Sequence, residues 1–350
     1  MSFSRYKREA SLAIVSSAIA ILAAEVAIRL VLPPPYRVDP AAIIRARMHR
    51  PDPQIGWVLS SDAMRVPHRL VDKQGVVQYD VVYSVADGQR RTSQHEVSGP
   101  ALVAAGCSFT FGHGLNDEDT WPWLLQEHLP DVHVMNAGCM GYGTDQALLA
   151  AERRVLQSKG QMTAVVLGFG DFQIERNRSP QGWMAIVYPF SKPLFRVTPD
   201  GVEYERQVRF LSAGTWADHS DLLGHILNTL GNRIYGIPSH NEARQLTMAL
   251  ITTFAKRFES RGVRFAVVML PHAGDRSREA QADQIFVVNH LRDAGIPVLL
   301  PDLPRLSDGR LDAPRLLVSK IDRHPNREYN LILTDQIVRF LKAKMGFTVS

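Results

Sequence analysis

Three short segments carry side chains that could perform nucleophilic chemistry, and each follows a short apolar run that predicts a strand. They contain Ser108, the pair Asp322 and His324, and a glycine-rich stretch at 136–143. A serine hydroxyl is a weak nucleophile unless a base takes its proton and a third group orients that base. An aspartate two residues before a histidine can hold the imidazole Nδ1 and leave Nε2 free for the serine. This combination indicates acyl transfer through a covalent intermediate.

The glycine-rich stretch, Asn-Ala-Gly-Cys-Met-Gly-Tyr-Gly at 136–143, could supply backbone donors to such a site. Glycines let the backbone approach a ligand closely and leave N–H groups free. The stretch also suits a plain strand-to-helix turn with Thr144 as the helix cap. Ser108 does not lie in a Gly-x-Ser-x-Gly elbow, because Thr110 occupies the second glycine position.

From residue 100 onward, short apolar runs alternate with amphipathic segments. Strands are predicted at 101–109, 132–135, 163–169, 264–270 and 297–300, and helices at 121–128, 145–158, 239–261, 281–293 and 328–344. This alternation predicts a parallel sheet covered by helices on both faces. Ligands bind such sheets beyond the carboxyl ends of the strands, where the three segments are expected to lie.

The N-terminal segment 11–32 is long and apolar, and three basic residues precede it. A membrane-spanning helix needs roughly 20 such residues. Glu25 and Arg29 interrupt the segment, but they lie four apart, can pair across one turn, and are close to its far end. The basic flank predicts a cytoplasmic N-terminus with the rest of the chain outside. A cleaved signal peptide and a buried helix of a soluble protein are the alternatives.

We therefore expect three regions. Residues 1–33 form a signal anchor or transmembrane helix, 34–97 form a linker and small β extension, and 98–350 form the main domain. A segment at about 178–235, rich in proline, glycine and aromatic residues, is expected to be an insertion or lid within the main domain. A hairpin is predicted at 76–85, followed by the Ala-Asp-Gly turn at 86–88.

Composition excludes several classes of protein. The net charge of +5 is modest and its basic residues are scattered, so nucleic acid is not an expected partner. The two cysteines, Cys107 and Cys139, do not make a disulfide scaffold, although one bridge or two buried thiols would both fit. The histidines show no metal-ligand spacing on a helix and no phosphate-binding loop is present, so neither a metal nor a cofactor is expected.

Together these motifs resemble the SGNH/GDSL hydrolases. The Gly-Cys-Ser-Phe-Thr-Phe-Gly run at 106–112 resembles their block I, 136–143 resembles block II, and Asp-Arg-His-Pro-Asn at 322–326 resembles the terminal block. The resemblance covers about 99–176 and 315–345. It implies an α/β fold of the flavodoxin-like three-layer α/β/α type, with a parallel sheet.

By this resemblance Ser108 is the nucleophile, His324 the general base and Asp322 its orienting partner, and the N–H groups of Ser108 and Gly141 form part of an oxyanion hole. The family's block III ends in Gly-x-Asn-Asp, and its asparagine supplies a third donor. Here Gly170 replaces that asparagine. Asn177 is one candidate substitute, and Asn136 is another, although Asn136 is expected mainly to tie down its turn. His113 is expected to line the pocket or cap its loop.

The expected activity is ester hydrolysis through an acyl-enzyme on Ser108, by a protein held in the inner membrane with its catalytic domain facing the periplasm or exterior. The expected substrate is an acylated small molecule or, first, an O-acetylated glycan, with a lipid ester as the second possibility. An O-acyltransferase to cell-surface polysaccharide would use the same residues. A degenerate, non-catalytic glycan-binding or assembly protein is the alternative from another class, and Gly170 is its main support.

Overall fold

The computed structural model describes residues 3–35, 37, 47–158, 162–211, 220–273 and 277–347. Its helices are α1 (Phe3–Val31), α2 (Ser108–Phe111), α3 (Trp121–His128), α4 (Thr144–Gln157), α5 (Gln173–Arg178), α6 (Gln181–Val187), α7 (Asp221–Ile234), α8 (His240–Glu259), α9 (Arg278–Asp293), α10 (Ala313–Leu316) and α11 (Arg327–Met345). Its strands are β1 (His49–Asp52), β2 (Gly56–Leu59), β3 (Met64–Val71), β4 (Val77–Ala86), β5 (Gln89–Arg90), β6 (Ala101–Gly106), β7 (His133–Gly138), β8 (Met162–Phe169), β9 (Lys192–Thr198), β10 (Gly201–Val208), β11 (Arg264–Met269) and β12 (Val298–Leu299).

The central sheet has eight strands in the order β12-β11-β8-β6-β7-β5-β4-β3. The five from β12 to β7 are parallel. Numbered along the chain, those five have the order 2-1-3-4-5, the doubly wound order of the flavodoxin-like fold. Their continuous apolar sequences fit strands buried on both faces.

Helices cover both faces of this sheet. α3 packs on α11, and α8 packs on both α4 and α9. In the 2-1-3-4-5 order the winding reverses after the first crossover, so α3 and α11 share one face while α4, α8 and α9 share the other. The predicted three-layer α/β/α fold with its parallel sheet is therefore confirmed.

Local signals explain most element ends. Thr120 accepts a hydrogen bond from Trp123 N at 3.4 Å, and α3 matches its predicted range. The predicted strand at 101–109 instead ends at Gly106, and a short helix begins at Ser108. α4 begins at Thr144 itself with Gly143 as its N-cap, so the alternative of a Thr144 cap is wrong.

The region before residue 98 contributes three strands to the central sheet. Strands β3, β4 and β5 add an antiparallel extension to the edge of the parallel sheet, joined by the pair Arg90 and Asn136. The predicted hairpin and turn are present, with positive φ at Asp87 and Gly88 between β4 and β5. The sheet thus runs across the expected boundary at residues 97 and 98, and the division into two regions stays a prediction.

The predicted insertion at 178–235 contains α6, the β9–β10 hairpin and α7. Residues 212–219 lie outside the described part of the chain, so the lid within this segment stays a prediction. α6 and α7 pack against each other.

The N-terminal helix α1 stands apart from the core. Its stretch Glu9–Val31 has 23 residues, a mean hydropathy of 2.2 and no buried share in its apolar window. That exposure does not fit the alternative of a buried helix in a soluble protein. By length and composition the helix is able to cross a membrane, and a signal sequence would look the same.

Candidate active site

Ser108 lies at the first turn of α2, directly beyond β6, and its residue is 4% exposed. Close backbone packing holds α2 against the strand ends. A Cβ on Gly106 would lie 2.2 Å from Thr110 Oγ1, and one on Gly138 would lie 2.4 Å from Phe111 N. Only glycine leaves the space for this approach. The serine therefore stands at the topological switch point, where the winding of the sheet reverses.

The structure brings His324 and Asp322 to this serine. His324 Nε2 lies 2.9 Å from Ser108 Oγ, and His324 Nδ1 lies 2.5 Å from Asp322 Oδ1. These distances are within hydrogen-bond range. If Nδ1 carries the ring proton, Nε2 is free to accept the serine proton. The three side chains therefore have the contacts of a serine–histidine–aspartate triad.

Backbone contacts fix the loop that carries the two residues. Val318 N donates to His324 O at 2.9 Å, and Asp322 N donates to Ser319 Oγ at 2.9 Å. Asn326 accepts from Tyr329 N at 3.0 Å and so caps α11. The loop between α10 and α11 is therefore tied at both ends, which limits the motion of the imidazole.

The second oxygen of Asp322 is held by groups outside the triad. Asp322 Oδ2 accepts from Tyr79 Oη at 2.7 Å and lies 3.2 Å from His113 Nε2. Burial alone would raise the pKa of Asp322, but hydrogen bonds from His113 and His324 outweigh it and hold this pKa well below its usual range. The carboxylate is therefore charged throughout the neutral and mildly acidic range.

Nothing in the sequence marks Tyr79 as part of this site. It lies on β4, in the extension before residue 98, and β4 reaches the triad only because the extension joins the sheet. The alternation of Tyr79, Val81 and Tyr83 places these residues on one strand face, which identifies the face but not what packs on it.

His113 lies in the site, as expected for a pocket-lining residue. It is 7% exposed, its ring centroid is 4.5 Å from that of His324, and Tyr83 Oη lies 3.3 Å from its Nδ1. Burial first, and the neighbouring His324 second, lower the pKa of His113 to about 4. Burial and the neighbouring His113 likewise lower the pKa of His68 to about 4.

The lowered pKa values of these two histidines predict how the stability of the fold changes in acid. A histidine whose folded pKa is depressed binds its proton more readily when unfolded, so acidification favours unfolding. The free energy of unfolding should fall as pH drops from about 6.5, the usual histidine value, towards about 4. His113→Gln should make this fall shallower. Urea unfolding of both proteins at several pH values measures the free energy of unfolding. An equal dependence of this free energy on pH in the two proteins would contradict the lowered pKa of His113.

The Gly141 N–H is a free donor in the glycine-rich turn that follows β7. Gly141 has φ +77°, and a Cβ there would lie 3.2 Å from the Trp57 ring. Trp57 Nε1 donates to Met140 O at 2.9 Å, and in a trans peptide the following N–H points away from that carbonyl. No hydrogen bond among the described residues uses the N–H of Gly141 or of Ser108. Both are thus available to an oxyanion.

The third donor is missing at the expected position. A Cβ on Gly170 would lie 2.4 Å from the Phe172 ring, so an aromatic side chain fills the space where an asparagine would begin. The Gly170 N–H donates to Gln173 Oε1 at 2.8 Å. Neither the side chain nor the backbone of residue 170 therefore supplies the donor.

The two candidate substitutes are engaged elsewhere. Asn177 is fully buried, accepts from Thr144 N at 2.7 Å and donates to Thr247 Oγ1 at 2.8 Å. Its side chain holds the start of α4, so Asn177 does not provide the third donor. Asn136 donates to Thr110 O at 3.1 Å and accepts from Gly138 N, which matches its expected role in the turn.

Arg90 is a buried cation that shapes the loop behind Ser108. It is fully buried, pairs with Asp117 at 2.8 Å, and donates to the carbonyls of Phe111, Gly112 and Leu115. The planar guanidinium can serve these acceptors together because its donors form a rigid fork. Arg90 therefore fixes the loop that carries His113.

Replacing Arg90 by methionine should destabilise the protein by about 3–5 kcal/mol, because Asp117 would keep a charge without its partner. Arg91→Met is the matched control, since Arg91 is exposed, and surface substitutions usually change stability by less than about 0.5 kcal/mol. Urea unfolding of the two variants compares them. Equal stability would show that the Arg90 contacts contribute little.

Within the described part of the chain, one group of ligand atoms is close enough together to hold a metal ion. Atoms of His113, Asp322 and His324 lie within 4.8 Å of one another. Both ring nitrogens of His324 already have partners, Nδ1 with Asp322 Oδ1 and Nε2 with Ser108 Oγ. The arrangement therefore fits a hydrogen-bonded triad better than a metal site.

Cys107 and Cys139 are both free and buried, and burial raises the pKa of the Cys139 thiol.

No protein-family profile and no curated protein matches the sequence. Among solved structures, the chain is similar to a putative lipolytic protein of the G-D-S-L family from Desulfitobacterium hafniense, with 17% identity over 69% of this chain and 100% of that one, and a TM-score of 0.42. It is also similar to a psychrotrophic esterase from Pseudoalteromonas sp., with 13% identity, coverage of 71% and 100%, and a TM-score of 0.41.

A third similar structure is an acetyl xylan esterase from the rumen bacterium Butyrivibrio proteoclasticus, with 12% identity, coverage of 76% and 68%, and a TM-score of 0.37. The strand order and the layers of this chain define its fold. These features, with Ser108, Asp322 and His324 brought together at the strand ends, are the ones that the sequence resemblance predicts. The chain therefore has the flavodoxin-like three-layer α/β/α fold that its resemblance to the SGNH/GDSL hydrolases predicts.

Proposed function

We propose that the protein is a serine ester hydrolase that acts through an acyl-enzyme on Ser108. The observation that carries this proposal is the contact of Ser108 Oγ with His324 Nε2 at 2.9 Å, while His324 Nδ1 faces Asp322. A pure binding protein needs no nucleophile, base and orienting carboxylate in mutual contact. The geometry thus favours the enzyme over the degenerate glycan-binding or assembly scaffold.

The chemistry follows from these positions. Ser108 Oγ attacks the ester carbonyl carbon while His324 Nε2 takes the hydroxyl proton. The tetrahedral intermediate collapses, His324 returns the proton to the leaving alcohol, and the acyl group stays on Ser108. His324 then takes a proton from a water molecule, which attacks the acyl carbon. His324 returns this proton to Ser108 Oγ as the carboxylic acid leaves. The N–H groups of Ser108 and Gly141 stabilise the oxyanion.

With these two oxyanion donors, ester hydrolysis should be slower than in hydrolases whose block III asparagine supplies a third. Loss of one oxyanion-hole donor lowers kcat by about 10²–10³ in a serine protease. Phe172 fills the corresponding space here and makes the site less polar. We therefore expect turnover of activated esters to be measurable but low.

An acylated glycan is the substrate that we favour. Beside Ser108, the Phe109 ring lies 5.1 Å from Phe172 and 5.9 Å from His272, and the Arg176 guanidinium lies over both Phe172 and Trp183. Phe172, Trp183 and His272 are only partly buried, and partly exposed aromatic rings suit a ligand ring that is apolar on its faces and polar at its edges. A lipid ester is the second candidate, since the fold does not fix the substrate.

We also propose that α1 anchors the protein in the inner membrane with its remaining domain on the periplasmic or outer side. Length, hydropathy and exposure of α1 support the anchor, and the basic residues before it support the orientation.

The test is hydrolysis of p-nitrophenyl acetate and of an O-acetylated xylan by the full chain in detergent. Release of nitrophenol and of acetate is the expected result. If nitrophenol appears only when a glycan acceptor is added, and that acceptor gains an acetyl group, the enzyme is the O-acyltransferase instead. A folded protein that releases neither product would restore the binding-scaffold hypothesis.

A further inference from the structure

Helix α7 presents its large apolar side chains to the outside. Ile226, Leu230 and Ile234 are 51%, 46% and 55% exposed, and their spacing of four residues aligns them along one side of the helix. We call these three residues the α7 stripe. A surface helix of a soluble domain normally turns such a stripe to the core.

The side of α7 that faces the protein carries small and polar residues. Its buried residues are Gly224, Asn228 and Gly231. A Cβ on Gly224 would lie 2.6 Å from the Pro35 ring, and one on Gly231 would lie 2.6 Å from the Gln181 side chain. The helix is therefore packed closely by its glycines, and rotation to bury the α7 stripe would lose these contacts.

The N-terminus of α7 is joined to α1. The Glu25 carboxylate accepts from Asp221 N at 2.8 Å, from Leu222 N at 3.0 Å and from Ser220 Oγ at 2.9 Å. These bonds satisfy N–H groups that the helix itself leaves free. A further contact, His225 Nε2 to Pro33 O at 3.0 Å, ties α7 to the chain just after α1.

This junction sets the depth of the N-terminus of α7. Glu25 precedes Val31, the last residue of α1, by six positions, which corresponds to about 9 Å along a helix. Amphipathic helices at a membrane surface bury their apolar face about 5–10 Å into the boundary between headgroups and acyl chains. If α1 spans the bilayer up to Val31, the start of α7 therefore lies at the depth of an interfacial helix.

We propose that the α7 stripe docks into the outer leaflet next to α1 and forms a second membrane contact. This inference rests on the proposed membrane anchoring by α1. The occupant is lipid because the stripe lies on a helix whose first turn is hydrogen-bonded to the apolar, exposed α1. Exposed apolar patches of this kind mark interaction surfaces.

Docking would bring the candidate site close to the membrane. α6 packs on α7, and Val187 and Trp183 of α6 lie 3.3 and 3.5 Å from the position of a Cβ on Gly141. The site would thus be held beside the lipid surface by two contacts.

The experiment uses the full chain in vesicles of phosphatidylethanolamine and phosphatidylglycerol, with an environment-sensitive dye on a new cysteine. Cys107 and Cys139 are buried, so Leu230→Cys can be labelled selectively in the folded protein. Ile285→Cys on α9 is the matched control, because Ile285 is a 62% exposed apolar residue on another helix. Quenching by spin-labelled lipid and by aqueous iodide is measured for both.

The proposal expects blue-shifted emission, strong lipid quenching and weak iodide quenching at position 230, with the opposite pattern at position 285. Equal iodide quenching at both positions, in protein that resists carbonate extraction, would overturn it while leaving the anchor intact. A dye at position 230 that neither iodide nor lipid quenches would also overturn it, because a protein partner or second copy would then cover the stripe. Extraction of the unlabelled protein by carbonate would instead refute the anchor, and docking with it.

Discussion

Ser108→Ala should lower turnover of p-nitrophenyl acetate by a factor on the order of 10⁴ or more, with KM changed little. The reason is that Ser108 Oγ, 2.9 Å from the base, is the proposed atom that forms the acyl-enzyme. Loss of the nucleophile or of the base alone costs a serine protease about 10⁶ in kcat, almost as much as loss of the whole triad. Steady-state kinetics of the full chain measures the effect.

Ser260→Ala is the control for this experiment, because Ser260 lies exposed just after α8, away from the triad. It should retain the activity of the unaltered protein. If Ser108→Ala retains turnover while its thermal unfolding is unchanged, hydrolysis occurs elsewhere or by another nucleophile, and the acyl-enzyme proposal is wrong.

Asp322→Asn should lower kcat by about 10³–10⁴ with a small change in KM. The Asp322 carboxylate accepts from His324 Nδ1 and from His324 N, and on its other oxygen it accepts from Tyr79. An amide cannot accept at both ends, so its NH₂ group would oppose one of these donors and favour the wrong imidazole tautomer. The equivalent change in a serine protease costs about 10⁴.

Tyr79→Phe separates the role of the second carboxylate oxygen from that of the first. It removes one hydrogen bond to Asp322 and leaves the contact with His324 in place. A hydrogen bond to a charged group contributes about 1.5–3 kcal/mol. We therefore expect Tyr79→Phe to lower kcat roughly 10–100-fold. The kcat values of the two variants are measured in the same assay. A larger loss of kcat for Tyr79→Phe than for Asp322→Asn would contradict the assigned roles.

Much of the main domain could be predicted because its signals are local. Thr120 and Pro122 mark the start of α3, and the apolar run of β8 is continuous and bounded. The position of Ser108 follows from the end of β6, because ligands bind such sheets beyond the carboxyl ends of the strands. The expectation that Asp322 and His324 also follow a strand is wrong, because they lie in the loop between α10 and α11.

The missed features depend on contacts that are distant in sequence. The extension joins the sheet through a single pair, Arg90 with Asn136, and this pairing brings Tyr79 to Asp322. No local propensity encodes it. Asn177 was a candidate oxyanion donor because of its position after block III, but its side chain is used by Thr144. Likewise, the sequence shows that Gly170 replaces the donor asparagine, but only the structure shows that the Phe172 ring fills the space of the missing side chain.

The most direct test of the central claim is a covalent one. The full chain is treated with a fluorophosphonate, digested, and analysed by mass spectrometry to locate the adduct. We predict one adduct, on Ser108, whose formation is lost in His324→Ala because Nε2 no longer takes the hydroxyl proton. A folded protein that stays unmodified, or an adduct on another residue with Ser108 unmodified, would contradict the assignment of Ser108 as the nucleophile.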